Sequence, residues 1–215
     1  SGGSGHVPGN TNSGGIFIPP SKPEVQPGIP PEETTDAPDP YQEVRGHWAE
    51  EEVIWLIENG IVNGNGSSFA LDNVVTRAEF IAMLVRGSKL EVSEYSHAFS
   101  DVAPSDWFAP YIQTAADKGF MEGFDGKASP AQPIVREEAA KILVGVYELL
   151  NGTVEATEPV RFADSGAISS WAALSVQKAA AKGLIQGFET NEFKGRDTLT
   201  RAQAMTMVYR LMHAE

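Results

Sequence analysis

The sequence predicts a mostly α-helical fold: three helix–loop–helix repeats sharing one core, behind a disordered or extended Pro/Gly-rich N-terminal linker. Three observations carry that prediction. The stretch "VTRAEF" (75–80) recurs as "IVREEA" (134–139) and "LTRAQA" (199–204), each ahead of an apolar helical run. The separation from a tryptophan to the arginine of that stretch is 29, 29 and 30 residues for Trp48–Arg77, Trp107–Arg136 and Trp171–Arg201, and 12 residues always separate the tryptophan from a glycine, at Gly60, Gly119 and Gly183. A fixed long period is the signature of a repeat architecture. The first 40 residues, finally, are of a different composition from the rest.

The elements follow in chain order. Residues 1–40, from "SGGSGHVPGNTNSGG" into the Pro-rich acidic run "IPPSKPEVQPGIPPEETTDAPDP", cannot bury a core and read as a semi-rigid spacer; "IFI" at 16–18 is the only apolar island there. The repeats then occupy 41–96, 97–159 and 160–215. The first helix of repeat one is expected from about Trp48 to Glu58, with Trp48, Val53, Trp55, Leu56 and Ile57 forming its apolar face. Its counterparts are expected over Ala109–Lys118 and Trp171–Lys182. Gly60, Gly119 and Gly183 sit where a left-handed residue closes a helix. A loop with Gly, Asn and Asp turn chemistry follows, holding a second glycine at Gly64, Gly123 and Gly187. The second helices carry Phe80, Ile81, Leu84 and Val85; Ile142, Leu143, Val146 and Tyr147; Met207, Val208, Leu211 and Met212. Two short helices cannot offset their own ordering entropy, whereas three units together can.

Composition narrows the function classes. A formal charge of −13 disfavours nucleic acid and anionic membranes as partners. The absence of cysteine excludes a disulfide-stapled scaffold and is compatible with an extracellular bacterial protein. Neither a signal peptide nor a membrane-spanning run is present, and the chain reads as a fragment of a longer protein with any export signal upstream. His6, His47, His97 and His213 form no metal-ligand spacing, and "NGNGSS" and "GFDGKAS" lack the acidic ligands of a calcium loop. No metal, cofactor or catalytic constellation is expected, so the chain does not read as an enzyme.

The recurring motifs resemble three tandem S-layer homology domains. Repeat one contributes "YQEV", "GHWA", "GIVNG" and "VTRAE"; repeat two "FSDV", "DW", "GFMEGFDG" and "PIVREE"; repeat three "FADS", "GLIQGF" and "LTRAQ". The resemblance covers about residues 41–215. It implies a pseudo-three-fold α assembly with grooves between neighbouring repeats. It also implies non-covalent attachment to secondary cell-wall polysaccharide, whose terminal sugar in this family is N-acetylmannosamine carrying a ketal-linked pyruvate. The setting implied is a secreted protein at the bacterial surface, cell wall or S-layer, with further domains upstream in the same polypeptide. The principal ligand contact carries over to Arg77, Arg136 and Arg201. The other motif positions that become candidate ligand contacts are Gly64, Gly123, Gly187, Trp48, Trp107, Trp171, Asp101 and Asp164. Departures are Val135 for the motif threonine, Ala128 for the loop phenylalanine, Glu43 for the aspartate and Gln203 for the glutamate, and repeat one lacks the Asp-Gly loop. The grooves are therefore not expected to bind equally, and the sequence gives no order among them.

Physical chemistry divides the motif. Thr76 with Glu79, Thr200 with Gln203, and Glu138 at the matching place need only a capping role. A cation at the first helical position opposes the macrodipole, so each arginine asks for another reason. One reading is a clasp to an acid of the next repeat. The other is an anion site in which helix N–H groups and a guanidinium converge on one carboxylate, each charge-assisted bond contributing roughly 1.5–3 kcal/mol. Distant surface acids would be screened beyond about 8 Å at physiological salt. The three tryptophans read first as packing residues, with sugar stacking as the alternative. A protein–protein assembly module, and a sugar-binding accessory to an enzyme, are the other function classes open to this sequence.

Overall fold

The computed structural model describes residues 41–63, 68–155 and 161–214. The expected linker over 1–40, with its apolar island, His6 and Gly64 lie outside the described residues. Among the described residues six α-helices are formed: α1 (Glu50–Glu58), α2 (Arg77–Gly87), α3 (Ala109–Asp117), α4 (Arg136–Asn151), α5 (Ala173–Ala181) and α6 (Arg201–Met212). A 3-10 turn, Ser165–Ala167, precedes α5. Each repeat thus supplies a short helix and a longer one, as its periodicity predicts.

How they pair does not follow the repeat boundaries. The short helix of each repeat packs on the long helix of the repeat before it: α3 on α2, α5 on α4, and α1 on α6. The long helices α2, α4 and α6 touch one another. The arrangement is an inner trio with an outer helix laid on each member, closed into a ring because α1 of the first repeat completes the last. Phe80, Ile81, Leu84, Leu143 and Met205 of the inner trio are fully buried, and every expected apolar position of these helices joins the core except Met212, which is half-buried.

The pseudo-three-fold centre is marked by backbone. Val75, Ile134 and Leu199, each two residues before a long helix and each fully buried, hydrogen-bond in a cycle. Val75 N–H donates to Leu199 O (3.0 Å), Leu199 N–H to Ile134 O (3.1 Å), and Ile134 N–H to Val75 O (3.2 Å). Buried peptide groups must be paired, and here each repeat satisfies its neighbour.

The short helices end as expected. Gly60, Gly119 and Gly183 have φ of 68°, 76° and 69°. In each, the residue after the glycine bonds back into the last turn: Ile61 N–H to Leu56 O, Phe120 N–H to Ala115 O and Leu184 N–H to Ala179 O. That is the Schellman closure, open to glycine because its left-handed conformation carries no Cβ penalty.

The expected tryptophan face requires correction. Trp48, Trp107 and Trp171 precede the short helices and are 61%, 55% and 51% exposed; the packing role falls to the neighbouring Ala49, Val53 and Leu56, to Ala109 and Ile112, and to Ala172 and Val176. Trp55, inside α1, is half-buried edge-on against Tyr209 at 5.4 Å.

Candidate functional site

The site is built from a loop, a long helix and two neighbours. In each loop an acid from the start of the repeat clamps two successive N–H groups. Glu43 accepts from Phe69 and Ala70 (2.6 and 2.9 Å), Asp101 from Ala128 and Ser129 (both 2.8 Å), and Asp164 from Phe193 and Lys194 (2.7 and 2.8 Å). The second residue of each pair holds a left-handed φ, 49°, 52° and 55° for Ala70, Ser129 and Lys194. The carboxylates stabilise that strained turn. Glu43 does so as fully as the two aspartates, so its departure from the motif is conservative. The carboxylates of Asp101 and Asp164, expected among ligand contacts, are turned into the loops of their own repeats.

The clamped loops meet the long helices of the preceding repeat. Arg77 and Ala78 N–H donate to Gln132 and Pro130 O (2.9 and 3.0 Å), and Arg136 and Glu137 N–H to Asp197 and Gly195 O (3.0 and 2.8 Å). Arg201 and Ala202 N–H donate to Asn73 and Leu71 O (2.8 and 2.9 Å). The third N–H is taken by the cap: Glu79 N–H donates to Thr76 Oγ1 (3.3 Å) and Gln203 N–H to Thr200 Oγ1 (3.2 Å), with Glu79 and Gln203 accepting in return from the N-cap N–H. At α4, Val135 offers no hydroxyl, and only its N–H reaches Glu138, at 3.5 Å. The expectation that helix N–H groups and guanidinium converge on one anion is thus corrected: those N–H groups already hold protein carbonyls.

The guanidiniums cross the same seams. Arg77 donates to Glu122 O (3.1 Å) and lies 3.7 Å from Glu138; Arg201 donates to Phe69 O (2.9 Å) and to Glu79 Oε1 (2.7 Å). Arg136 donates to Phe193 O (2.7 Å) and Gln186 O (2.9 Å). The clasp to an acid of the next repeat therefore describes Arg77 and Arg201, while Arg136 crosses its seam to carbonyls. Where the others meet glutamate, the third repeat carries Gln203. Arg136 is covered instead by Phe188 and Phe193, whose ring centres lie 4.7 and 5.0 Å from Cζ, and only 5% of it is exposed. Burial pulls its pKa down to about 10, with the charges of Asp197 and Asp164 opposing, so it stays a cation at neutral pH.

Among the described residues two of the seams open into grooves. One, about 620 Å³, is lined by Arg201, Glu79, Met83, Arg86 and the exposed Trp107. The other, about 410 Å³, is lined by Arg77, Glu138, Lys141, Lys178, Phe124 and the exposed Trp171. Each brings an arginine of one repeat, the loop and long helix of the next, and a tryptophan of the repeat after that. Trp48 stands beside His47, with ring centres 5.3 Å apart. The second loop glycines serve close approach: a Cβ at Gly187 would meet the Phe162 ring at 3.0 Å, and one at Gly123 would overlap Phe99 and the Lys127 carbonyl. What they admit is a ring of their own repeat.

Sequence reasoning missed three features of these seams. Glu137, buried, accepts from Ser169 N–H and Oγ (3.0 and 2.7 Å) and pins repeat three to α4; Arg86 lies 4.7 Å over the Tyr111 ring; and Phe124, 88% exposed, projects at the groove rim. None has a counterpart type in all three repeats, so the motif comparison could not find them. Among the described residues no helix is long and apolar enough to cross a membrane, and no group of three or more His, Asp or Glu side chains is placed to hold a metal ion.

Comparison with known proteins matches the same segments. The family model described as S-layer homology domain matches residues 43–81, 98–140 and 161–205. Among curated relatives, an amylopullulanase of Thermoanaerobacterium thermosulfurigenes is 34% identical over 80% of this chain and 9% of its own length. An exoglucanase XynX of Acetivibrio thermocellus is 33% identical over 80% of the chain and 16% of its own length. A surface-layer 125 kDa protein of Lysinibacillus sphaericus is 31% identical over 70% of the chain and 12% of its own length. The chain thus spans less than a fifth of each of these relatives.

Proposed function

This chain belongs to the S-layer homology domain family, and from that premise we propose that it is a non-catalytic cell-wall anchoring module, holding the polypeptide that carries it to the bacterial surface. The ligand is secondary cell-wall polysaccharide, bound without covalent linkage through its terminal pyruvylated N-acetylmannosamine in the grooves between repeats. Repeats at 41–96, 97–159 and 160–215 form the binding body, and residues 1–40 are the spacer to upstream domains.

One observation carries the reading: each open groove pairs a half-exposed indole with a guanidinium from another repeat. A large aromatic left in water at a concave site, beside a cation, suits a sugar face bearing a carboxylate. The relatives support a portable anchor: proteins named as an amylopullulanase, an exoglucanase and a surface-layer protein share with this chain a minor part of their length. Contact through two grooves would raise avidity by effective concentration.

The guanidinium contributes through the edge not engaged with loop carbonyls, because the helix N–H groups are occupied. The arginine clasps join repeats of one chain, which removes the reason to place them at contacts between chains. The deciding experiment is calorimetric titration with a pyruvylated N-acetylmannosaminide against its non-pyruvylated counterpart. Selective binding of the first is expected; equal or absent binding overturns the reading.

A further inference from the structure

The three seams are not equivalent, and their differences rank them. We infer that the groove of Arg77 and Trp171 is the principal site for the carboxylate-bearing sugar, that the Arg201 groove ranks second, and that the Arg136 seam takes none. This ranking rests on the proposed anchoring function and concerns where in the chain it resides.

The state of each guanidinium decides the order. Arg136 donates its Nε to the Phe193 carbonyl, lies under two phenylalanine rings and is buried. Beside it Arg210 Nη2 donates to Gln186 Oε1 at 3.0 Å. Arg201 donates its Nε to the Phe69 carbonyl and is neutralised at 2.7 Å by Glu79, so an incoming carboxylate must displace an acid already in place. At Arg77 the guanidinium donates to the Glu122 carbonyl at 3.1 Å, but the tie to its acid is slack. The loop position that holds Phe69 and Phe193 is Ala128, which puts no ring over the cation, and Arg77 Nε is buried with no hydrogen-bond partner. Glu138 stands off at 3.7 Å. A guanidinium whose acid stands off gains more from an arriving carboxylate than one already neutralised at hydrogen-bond distance.

Formal charge alone would favour the larger groove. It carries Arg201 and Arg86 against Glu79, whereas Arg77, Lys141 and Lys178 face Glu122, Glu138 and Glu148. Arg86, however, is held by Tyr111, to whose hydroxyl its Nε donates at 3.1 Å. A cation whose acid stands off at 3.7 Å offers more to the ligand than one paired at 2.7 Å.

Phe124 differs as well. Its counterpart Phe188 folds over Arg136, while Phe124 stands 88% exposed and lines the Arg77 groove with Trp171. Two exposed aromatics lining one groove with a loosely countered cation suit the ring that bears the carboxylate or its neighbour in the polymer.

Each open groove contains its own fluorescent reporter, Trp171 or Trp107, which allows the test in the full chain. The probe is a pyruvylated N-acetylmannosaminide, followed by tryptophan emission and calorimetry. Trp171→Phe is expected to abolish the emission change of the tight phase, and Trp107→Phe to leave it. Arg77→Ala and Phe124→Ala are expected to weaken that phase, about tenfold and about threefold; Arg201→Ala should leave it within about twofold. Because Trp171, Trp107 and Phe124 are exposed, these variants report binding without loss of fold. Tight binding that follows Trp107 and Arg201, or that is shared equally, overturns the ranking while the anchoring function stands. Failure of the unsubstituted chain to prefer the pyruvylated sugar overturns both.

Discussion

Arg201 Nη1 lies 2.7 Å from Glu79 Oε1, a contact between residues 122 apart in sequence that fastens the last repeat to the first. The pair is mostly buried, with side chains 14% and 30% exposed, and Arg201 also serves the Phe69 carbonyl. Arg201→Ala strands an acid and a carbonyl at once. A loss of about 2 kcal/mol in urea denaturation is expected, with a coupling energy of about 1 kcal/mol to Glu79→Ala. Additive single variants would remove this pair from the account of ring closure.

Val135 occupies the N-cap of α4 without a hydroxyl, while Thr76 and Thr200 cap α2 and α6 through theirs. Val135→Thr is expected to stabilise the protein by about 0.5–1 kcal/mol, and Thr200→Ala to cost about 1 kcal/mol. Thermal melts of the two variants, shifted in opposite directions, check the cap assignment.

Gln203 stands where the other two repeats place the glutamate that faces an arginine across the seam. Gln203→Glu keeps the capping oxygen and adds a counter-charge for Arg136. A stability gain of about 0.5–1 kcal/mol is expected, diminished in the Arg136→Lys background, which lacks the planar fork. A loss of stability would mean that the aromatic cover of Arg136 leaves no place for an acid.

Gly123→Ala drives a methyl into Phe99 and a backbone carbonyl, while Gly187→Ala meets its nearest atoms at 3.0–3.2 Å. Costs of about 3 and about 1 kcal/mol are expected, in that order. Equal costs would show that the Phe99 ring gives way as readily as Phe162.

Glu43 and Asp164 are held below the ordinary carboxylate range. Burial alone would raise both. For Glu43 the Phe69 and Ala70 N–H groups, the Ser68 hydroxyl and the Arg201 charge outweigh it. For Asp164 the Phe193 and Lys194 N–H groups and the Arg136 charge do so. With the folded pKa below the unfolded one, the unfolded chain binds more protons in acid. The stabilisation is whole above the unfolded pKa and is lost as pH falls through the folded value. Urea midpoints measured from about pH 7 to about pH 3 should drop steeply at the acid end, and Glu43→Gln with Asp164→Asn should lower the neutral value and flatten that drop.

What the sequence disclosed was local. The threonine caps, the left-handed glycines and the apolar stripe of each long helix are decided within one or two turns, and all stand where their residues predict. A 3.6-residue period marks a buried face without naming its partner, so the packing of α3 on α2 rather than on α4 was not legible. Trp107 and Trp171 resemble core residues in sequence, and only the packing of one repeat on another leaves them at a groove. The N–H groups of Arg77, Arg136 and Arg201 looked vacant because the carbonyls that fill them, such as Gln132 O, Asp197 O and Asn73 O, come from another repeat.

The cycle through Val75, Ile134 and Leu199 fixes a number. An open stack of repeats tolerates additions at its ends, provided its outermost members are shielded. A circle whose every member both gives and receives one bond has no terminus to extend. A fourth copy could enter only by breaking a bond at the centre, and a lone pair would leave a donor and an acceptor unanswered in an apolar interior. Variation among such modules is thereby steered away from length and into the side chains at each seam, and an arm carrying more binding capacity must string together whole triplets.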